Sequence, residues 1–418
     1  MRRAAIMANA STDFHDVLIV GAGHAGAHCA AALRQFGLTG TIGLVSDEAH
    51  LPYERPPLSK DYLGGAKAFE QMGLQPASFW RDRNIALLGG RSVTSVDAAR
   101  HVVTCADGGT LAYGKLVWAA GGRARRLSCA GADLRGLHVI RTRDDVDGLK
   151  AELDEARRVV VIGGGFIGLE AAAALRKQGK DVSVVEAFER VLARVTGETL
   201  SAFMQDQHRA RGVEICLGAK VEALSGEAGR VKRVELHDGR SLPADLVIVG
   251  IGIEPCVEPL RAAGIGGPAG VDVDAQCRTA LDDVYAIGDC ARHANAFAGR
   301  AALRIESVQN AVDQATLVAG DIVGRPMPKA APPWFWSTQY DIRIQMAGLS
   351  GGHDKAVVRG DPASGSFSVA YLRDGALIAI DCVNATKDFV QGRSALAKGL
   401  RPDCAALADA SVPLSSLS

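Results

Sequence analysis

Two glycine fingerprints of one form, Gly21-Ala-Gly23-His-Ala-Gly26 and Gly163-Gly-Gly165-Phe-Ile-Gly168, constrain what this 418-residue chain can fold into. Each follows a short apolar run, Asp16-Val-Leu-Ile-Val20 or Arg158-Val-Val-Val-Ile162, and each opens an alanine-rich stretch of helical composition. Strand, glycine turn and helix in that order form the mononucleotide-binding half of a doubly wound α/β fold. The first glycine makes the tight turn, and the second lets backbone N–H groups approach a pyrophosphate. The third lets the helix lie close on the strand, so that the phosphate meets the positive end of the helix dipole. One such pattern is a weak signal. Its recurrence with strand and helix in place makes two dinucleotide sites in one polypeptide.

A carboxylate is expected about 20 residues beyond such a turn, where it accepts hydrogen bonds from a ribose diol. In the second unit Ser183-Val-Val-Glu186 supplies it at the end of the next strand. A carboxylate there would repel a 2′-phosphate, so this site favours NAD over NADP. In the first unit Thr41-Ile-Gly-Leu-Val45 leads into Ser46-Asp47-Glu48, slightly later than expected. Asp47 is the candidate of the two acids, with a plain solvated loop end as the alternative.

The chain has as many Lys and Arg as Asp and Glu, 47 of each, which argues against a nucleic-acid or membrane-surface protein. No apolar run approaches the roughly 18 residues that span a bilayer, and the opening residues lack the apolar centre of a signal peptide. The expectation is a soluble cytoplasmic protein, with residues 1 to about 13 as a disordered leader and Met7 as an alternative start. Nine cysteines are present, none in a C-x-x-C or metal-type spacing, so they read as buried free thiols and no metal site is expected. Many enzymes with two dinucleotide sites pass electrons to a cysteine pair, and none is evident here.

The order of elements suggests a nucleotide domain inserted within another. Residues 14–121 and 256–328 would form the first, 122–255 the second, and 329–418 a C-terminal α+β domain of antiparallel strands and a helix over about 385–398. Asp144 to Arg157 reads as a helix, as does a stretch beginning near Ser307. If one site holds a flavin and the other a nicotinamide, the cofactors carry the chemistry and the protein places them. Asp289, at a strand end after Gly288, could accept from a hydroxylated flavin chain or cap a turn. Lys60 follows Pro56 and Pro57 in a stiffened loop, although composition alone does not separate it from a surface lysine. Glu170 lies on the second helix two residues past Gly168, and as a lone residue it is more often a solvated helix acid.

The loop Pro52-Tyr-Glu-Arg-Pro-Pro-Leu-Ser-Lys60, Val161-Ile-Gly-Gly-Gly-Phe-Ile-Gly-Leu-Glu170, Gly250-Ile-Gly252, Tyr285-Ala-Ile-Gly-Asp-Cys-Ala291, Arg304-Ile-Glu-Ser-Val308 and Pro333-Trp-Phe-Trp336 add specificity. Across nearly its whole length the sequence resembles the FAD-dependent, NADH-using reductases of [2Fe-2S] ferredoxins that feed bacterial oxygenases. The resemblance implies a glutathione-reductase-like plan of two Rossmann-like domains, with the NAD domain inserted in the FAD domain, plus a C-terminal domain. It implies that Gly21, Gly23, Ala25, Gly26, Asp47, Arg55, Pro56, Lys60, Val93, Gly288, Asp289 and Val308 serve FAD, with Arg123 or Arg125 near its phosphates. Gly163, Gly165, Phe166, Ile167, Gly168, Glu186, Arg194 and Gly252 would serve NADH. Lys60 and Glu170 would form a catalytic charge pair beside the flavin, and Trp336 would wall it.

The implied activity is an NADH:ferredoxin oxidoreductase, monomeric or weakly dimeric, that passes electrons one at a time to a [2Fe-2S] ferredoxin serving a cytochrome P450 or ring-hydroxylating dioxygenase. Arg292, His293, Arg300, Arg304, Lys387, Arg393 and Lys398 are candidates for the docking face, with a merely solvated face as the alternative. Two departures from the family pattern stand out. Ala119-Ala120-Gly121 replaces the usual Ala-Thr-Gly, and Cys256 stands where asparagine is common. The rival readings are an NADH oxidase, peroxidase or disulfide reductase, disfavoured by the cysteine-free loop 51–60, and an apoptosis-inducing-factor-like redox sensor.

Overall fold

The computed structural model describes residues 13–326 and 331–417. These divide into two compact units: residues 13–54, 70–123 and 254–326 form one, and residues 55–69, 124–253 and 331–417 the other. The expected leader and the expected border at 328/329 lie outside the described residues.

The first unit is organised by seven strands. Ile85–Leu88, Ile42–Val45, Asp13–Val20 and Thr110–Trp118 lie side by side in that order, all parallel. Thr110–Trp118 is long enough to serve two neighbours on its far edge. Its first half pairs antiparallel with Val102–Cys105, and its second half pairs in parallel with the returning strand Val284–Ala286. Val20 faces both Val45 and Trp118, and Trp118 faces Ala286, so the strand ends form one row. Ligands of open parallel sheets bind outside such a row.

Helices His24–Gln35 and Val308–Val323 cover one face, burying Cys29, Ala30, Leu33, Ala315 and Val318 with Ile19 and Val117. Small residues at the helix surface allow that close approach. The second of these helices starts where its sequence says it should. The Ser307 side chain accepts the Asn310 N–H at 3.1 Å, and Gly324 closes the helix in the left-handed region.

The second unit repeats the parallel theme with Glu214–Cys216, Asp181–Val185, Arg158–Ile162, Leu246–Val249 and Leu137–His138. The helix expected over 144–157 runs Arg143–Leu153, opened by a Thr142–Asp145 capping box. It stops early because the Lys180 ammonium takes the carbonyls of Leu153 and Ala156, at 2.5 and 2.8 Å. In the C-terminal part five antiparallel strands run in the order Trp334–Gln339, Ile342–Gly348, Ala376–Val383, Ser366–Arg373, Lys355–Asp361, under helix Thr386–Lys398.

One element departs from the sequence-based division. The loop 55–69, assigned there to the first nucleotide domain, groups with the second unit. Its hydrogen bonds explain why. Arg55 donates to the Arg141 carbonyl at 2.6 Å, the Tyr62 hydroxyl binds Asp147, and the Leu63 carbonyl receives Gln178 at 3.1 Å.

Candidate active site

At the first glycine turn, Gly21 sits at φ +106°, and a Cβ there would lie 2.3 Å from the Ala119 carbonyl oxygen. A Cβ on Gly26 would lie 1.9 Å from the oxygen of Gly21. Gly23 is the extended N-cap of helix His24–Gln35, and no side chain caps it. A helix start that no side chain caps, entered through glycines, is the kind of arrangement a pyrophosphate needs. Ala25 is buried in the first turn behind them.

Gly288, at φ +76°, donates its N–H to Gln314 Oε1 at 2.7 Å. Asp289 follows in a short 3₁₀ turn, and its carbonyl takes the Arg304 guanidinium at 2.6 Å. Gln314, 6% exposed, thus braces the turn that carries Asp289. Nothing in the sequence reading singled it out. Val308 is the first residue of the Ser307-capped helix, and Val93 is half-buried at the start of strand Val93–Asp97.

Asp47 is exposed, one residue past the buried Ser46, whose hydroxyl accepts the Glu48 N–H. Arg123 is exposed and ion-paired with Glu254 and Glu258. Arg125 falls in the other unit, where it donates to the carbonyls of Gly252 and Ile253 at 3.0 and 3.1 Å.

The second turn copies the first. A Cβ on Gly163 (φ +110°) would lie 2.3 Å from the Gly250 oxygen, and one on Gly168 2.0 Å from that of Gly163. Gly165 N-caps helix Phe166–Lys177 without side-chain help, and a Cβ there would meet nothing within 4 Å. Glu186 is 8% exposed. One of its oxygens accepts the Gly164 N–H at 2.6 Å and the other the Phe188 N–H at 2.9 Å, so the turn holds the carboxylate in place. The Phe166 ring lies 4.6 Å from that of Phe335, while Ile167 is exposed. Gly252 stands at φ +97° near the guanidinium of the exposed Arg194.

The charge pair lies within this unit. Pro56–Ser59 forms a 3₁₀ turn whose end delivers Lys60, and its Nζ is 2.7 Å from Glu170 Oε2. The expectation of a solvated helix acid at Glu170 is corrected, because the residue is 2% exposed. Ser59 donates to its Oε2 at 2.5 Å and Ser337 to its Oε1 at 2.6 Å. A carboxylate removed from water is costly unless cations and donors compensate, and here one ammonium and two hydroxyls do so. Trp336 is half-buried on the strand that carries Ser337, its ring 5.4 Å from that of Trp334.

Residues 15–315 match the family model for pyridine nucleotide-disulphide oxidoreductases, and residues 334–418 match that for the reductase C-terminal domain. The chain belongs to this family. Within it the reductase is 55% identical over 403 residues to the 5,5′-dehydrodivanillate O-demethylase ferredoxin reductase subunit of a Sphingobium species, covering 96% of this chain and 98% of the relative. It is 57% identical over 384 residues to a ferredoxin–NAD(P)⁺ reductase of a Sphingomonas species, covering 91% and 93%. Among solved structures, the reductase matches putidaredoxin reductase in its covalent complex with putidaredoxin, at TM-score 0.92 and 40% identity over 97% of this chain and 98% of that one. The fold class read from the sequence, two Rossmann-like domains and a C-terminal domain, is the family's own.

The nine cysteines of the reductase are free thiols. Burial pushes Cys29 and Cys290 up to about 12, which leaves them protonated and unreactive at neutral pH. No cluster able to hold a metal ion occurs among the described residues, and no helix there is long and apolar enough to cross a membrane. Several of the basic residues considered for docking are engaged internally. Arg292 pairs with Asp272 at 3.0 Å, Arg304 with Glu306 at 3.0 Å, and Arg393 lies over the Trp334 and Phe389 rings.

Proposed function

We propose that this ferredoxin reductase accepts hydride from NADH through FAD and delivers electrons singly to a [2Fe-2S] ferredoxin that serves a cytochrome P450 or ring-hydroxylating dioxygenase in the cytoplasm. FAD, when bound, supplies the conversion of a two-electron hydride into one-electron deliveries. The observation that carries the reading is the full-length likeness to ferredoxin reductases at 55–57% identity.

The residues divide the work. The first glycine turn offers its uncapped helix start to the FAD pyrophosphate, and Asp47 and Asp289 offer carboxylates to FAD hydroxyls. The second turn does the same for NADH. There Glu186 accepts from the adenosine ribose and repels a 2′-phosphate, and Arg194 assists. Lys60 holds a positive charge where the flavin gains electrons, and Glu170 fixes that ammonium and turns it toward its task. The 122–255 nucleotide domain, inserted between 14–121 and 256–328, would hold the NADH, with the 329–418 domain following it in the chain.

The test is cytochrome c reduction driven by NADH or NADPH in the presence of a panel of [2Fe-2S] ferredoxins. Turnover is expected to need a ferredoxin and to be at least about tenfold more efficient with NADH, the discrimination one charge contact supports. Rapid NADH consumption by oxygen with no ferredoxin dependence would place the chain among the oxidases instead.

A further inference from the structure

The hydrogen bonds at Glu170 do not end with its immediate partners. Ser337 Oγ, which lies 2.6 Å from Glu170 Oε1, is also 3.2 Å from Gln339 Nε2. Gln339 Oε1 is 2.8 Å from His208 Nε2, and the Tyr340 hydroxyl is 3.1 Å from Nδ1 of the same ring. Ser337, Gln339 and His208 are 0%, 1% and 0% exposed. Strand alternation puts residues 337 and 339 on one face of Trp334–Gln339, and helix Glu198–Ala210 brings His208 to meet them.

Chemistry fixes the direction of this chain. An amide nitrogen only donates and an amide oxygen only accepts. With its nitrogen on Ser337, Gln339 turns its oxygen to the ring, so His208 carries its proton on Nε2 and accepts the Tyr340 hydroxyl at Nδ1. Ser337, accepting from Gln339, keeps its own hydrogen for Glu170. With the amide flipped, the single Ser337 hydrogen would serve two acceptors, and one of the two contacts, 2.6 Å to Glu170 or 3.2 Å to Gln339, would face acceptor to acceptor. A neutral ring is what burial enforces, since it lowers the His208 pKa to about 4.

The far end of the chain is held at a cost in backbone strain. Tyr340 stands at φ +58°, a conformation bulky residues avoid, with the Arg211 guanidinium 4.5 Å from its ring and the His208 ring 5.1 Å away.

We propose that Ser337, Gln339 and His208, anchored by Tyr340, are positioning residues that act through Glu170: a one-way chain of donors that fixes its carboxylate against Lys60 and so sets where the ammonium stands. The proposal rests on the reading of Lys60 and Glu170 as the pair that serves hydride transfer. It separates the role of the C-terminal strand from simple packing, because it makes the direction of one amide matter.

The experiment follows flavin reduction by NADH in stopped flow, the flavin midpoint potential, and the histidine side-chain nitrogens by NMR in ¹⁵N-histidine-labelled holoenzyme. Ser337→Ala should slow reduction roughly 3- to 10-fold, about the worth of one hydrogen bond, with Ser337→Thr restoring it. Gln339→Glu keeps the shape but reverses the direction. Its new oxygen takes the Ser337 hydrogen away from Glu170 and gives His208 an anionic partner. Reduction should then acquire a pH dependence between roughly pH 6 and 8 that the wild type lacks. The NMR spectra should show His208 as the Nε2–H tautomer, not titrating over that range in the wild type and titrating in Gln339→Glu.

Glu170→Gln and Lys60→Ala serve as the reference pair. If they slow reduction while Ser337→Ala and Gln339→Glu leave rate, pH profile and potential at wild-type values, or if His208 is the Nδ1–H tautomer, the chain does not position Glu170. If Glu170→Gln and Lys60→Ala themselves change neither rate nor potential, the reading of the charge pair fails and the positioning role falls with it.

Discussion

At the first turn a Cβ on Gly21 would lie 2.3 Å from the Ala119 oxygen, and at the second a Cβ on Gly163 would lie 2.3 Å from the Gly250 oxygen. The turns thus exclude side chains in the same way and leave the same uncapped helix start. The interiors behind them differ. Among the described residues, the buried polar groups of the first unit are neutral types or histidine: His15, Ser46, Ser307, Asn310 and Gln314. The second unit buries Glu170, Glu186, Arg359 and Asp381. Turn geometry is therefore the same in both units, and what sets them apart is charge buried only in the second, at Glu186 behind its glycine turn and at Glu170. A neutral interior suits a cofactor that stays, while placed charges suit a ligand that must be chosen, oriented and released.

The largest effects come from the shared feature. Gly21→Ala and Gly163→Ala meet equivalent backbone oxygens, those of Ala119 and Gly250, at the same 2.3 Å and at similar φ of +106° and +110°, so their local strain should be alike. Their consequences should not be. Gly21→Ala is expected to yield protein without bound flavin. Gly163→Ala should keep its yellow colour and lose NADH reduction on the order of 100-fold, as a displaced turn worth about 3 kcal/mol implies. Flavin stoichiometry and stopped-flow reduction check both. Equal flavin loss in the two variants would erase the distinction between a resident and an exchangeable site.

The contrast between the units also marks how much of the molecule the sequence discloses. The strands Asp13–Val20 and Arg158–Ile162, the glycine turns and the Ser307 cap are local, set by apolar periodicity and backbone sterics, and a reader of the chain can find them. The pairing of Lys60 with Glu170 joins residues over a hundred positions apart, and neither carries a local mark of it. Only resemblance to a family foretold it.

Ser337 and Gln339 did carry a mark, two polar residues at alternate positions of a strand, but polar alternation usually means a solvated face. Gln314 and the home of loop 55–69 had no signal at all, since both depend on hydrogen bonds made across the tertiary structure. The register likewise decides a point that counting could not. Val20 faces Val45 as Ile162 faces Val185, so the position matching Glu186 is Ser46, and Asp47 is the residue after it.

A mid-sized effect tests the burial of charge directly. Asp381 is enclosed with Thr196 and Tyr371, whose hydroxyls both bond it, and burial pushes its carboxyl up to about 6. The folded state therefore holds this proton more tightly than the unfolded chain does. Stability from this group is present below the ordinary carboxyl range and is lost as the pH rises from about 4 to about 6, staying lost above that. Asp381→Asn keeps an acceptor oxygen and removes the charge. The variant should match wild type near pH 4 and gain with rising pH, reaching at most about 3 kcal/mol at neutrality. Thermal midpoints of both proteins across that range decide it. A variant equally destabilised at every pH would mean that the carboxylate form is the one the fold requires.

The smallest effect concerns a position that the register makes equivalent in the two units but that carries a different residue in each. Ser46 and Glu186 occupy equivalent places after the second strand of their units, and only the glutamate reaches back to its turn, at Gly164. Glu186→Ser would give the second unit the residue of the first. The hydroxyl is too short to hold the Gly164 and Phe188 N–H groups together, so NADH affinity should fall. The repulsion of a 2′-phosphate disappears at the same time, and Arg194, exposed beside this turn, becomes an attraction for it. The ratio of kcat/KM for NADH over NADPH should therefore drop roughly tenfold, about 1.4 kcal/mol, while bound flavin stays unchanged. Glu186→Gln separates the two causes, since it removes the charge while its amide oxygen still accepts the Gly164 N–H, at the loss only of the bond to Phe188. If Glu186→Gln shifts the ratio as far as Glu186→Ser does, selection is electrostatic. If it leaves the ratio at the wild-type value, the glutamate chooses NADH by the shape of the turn it holds.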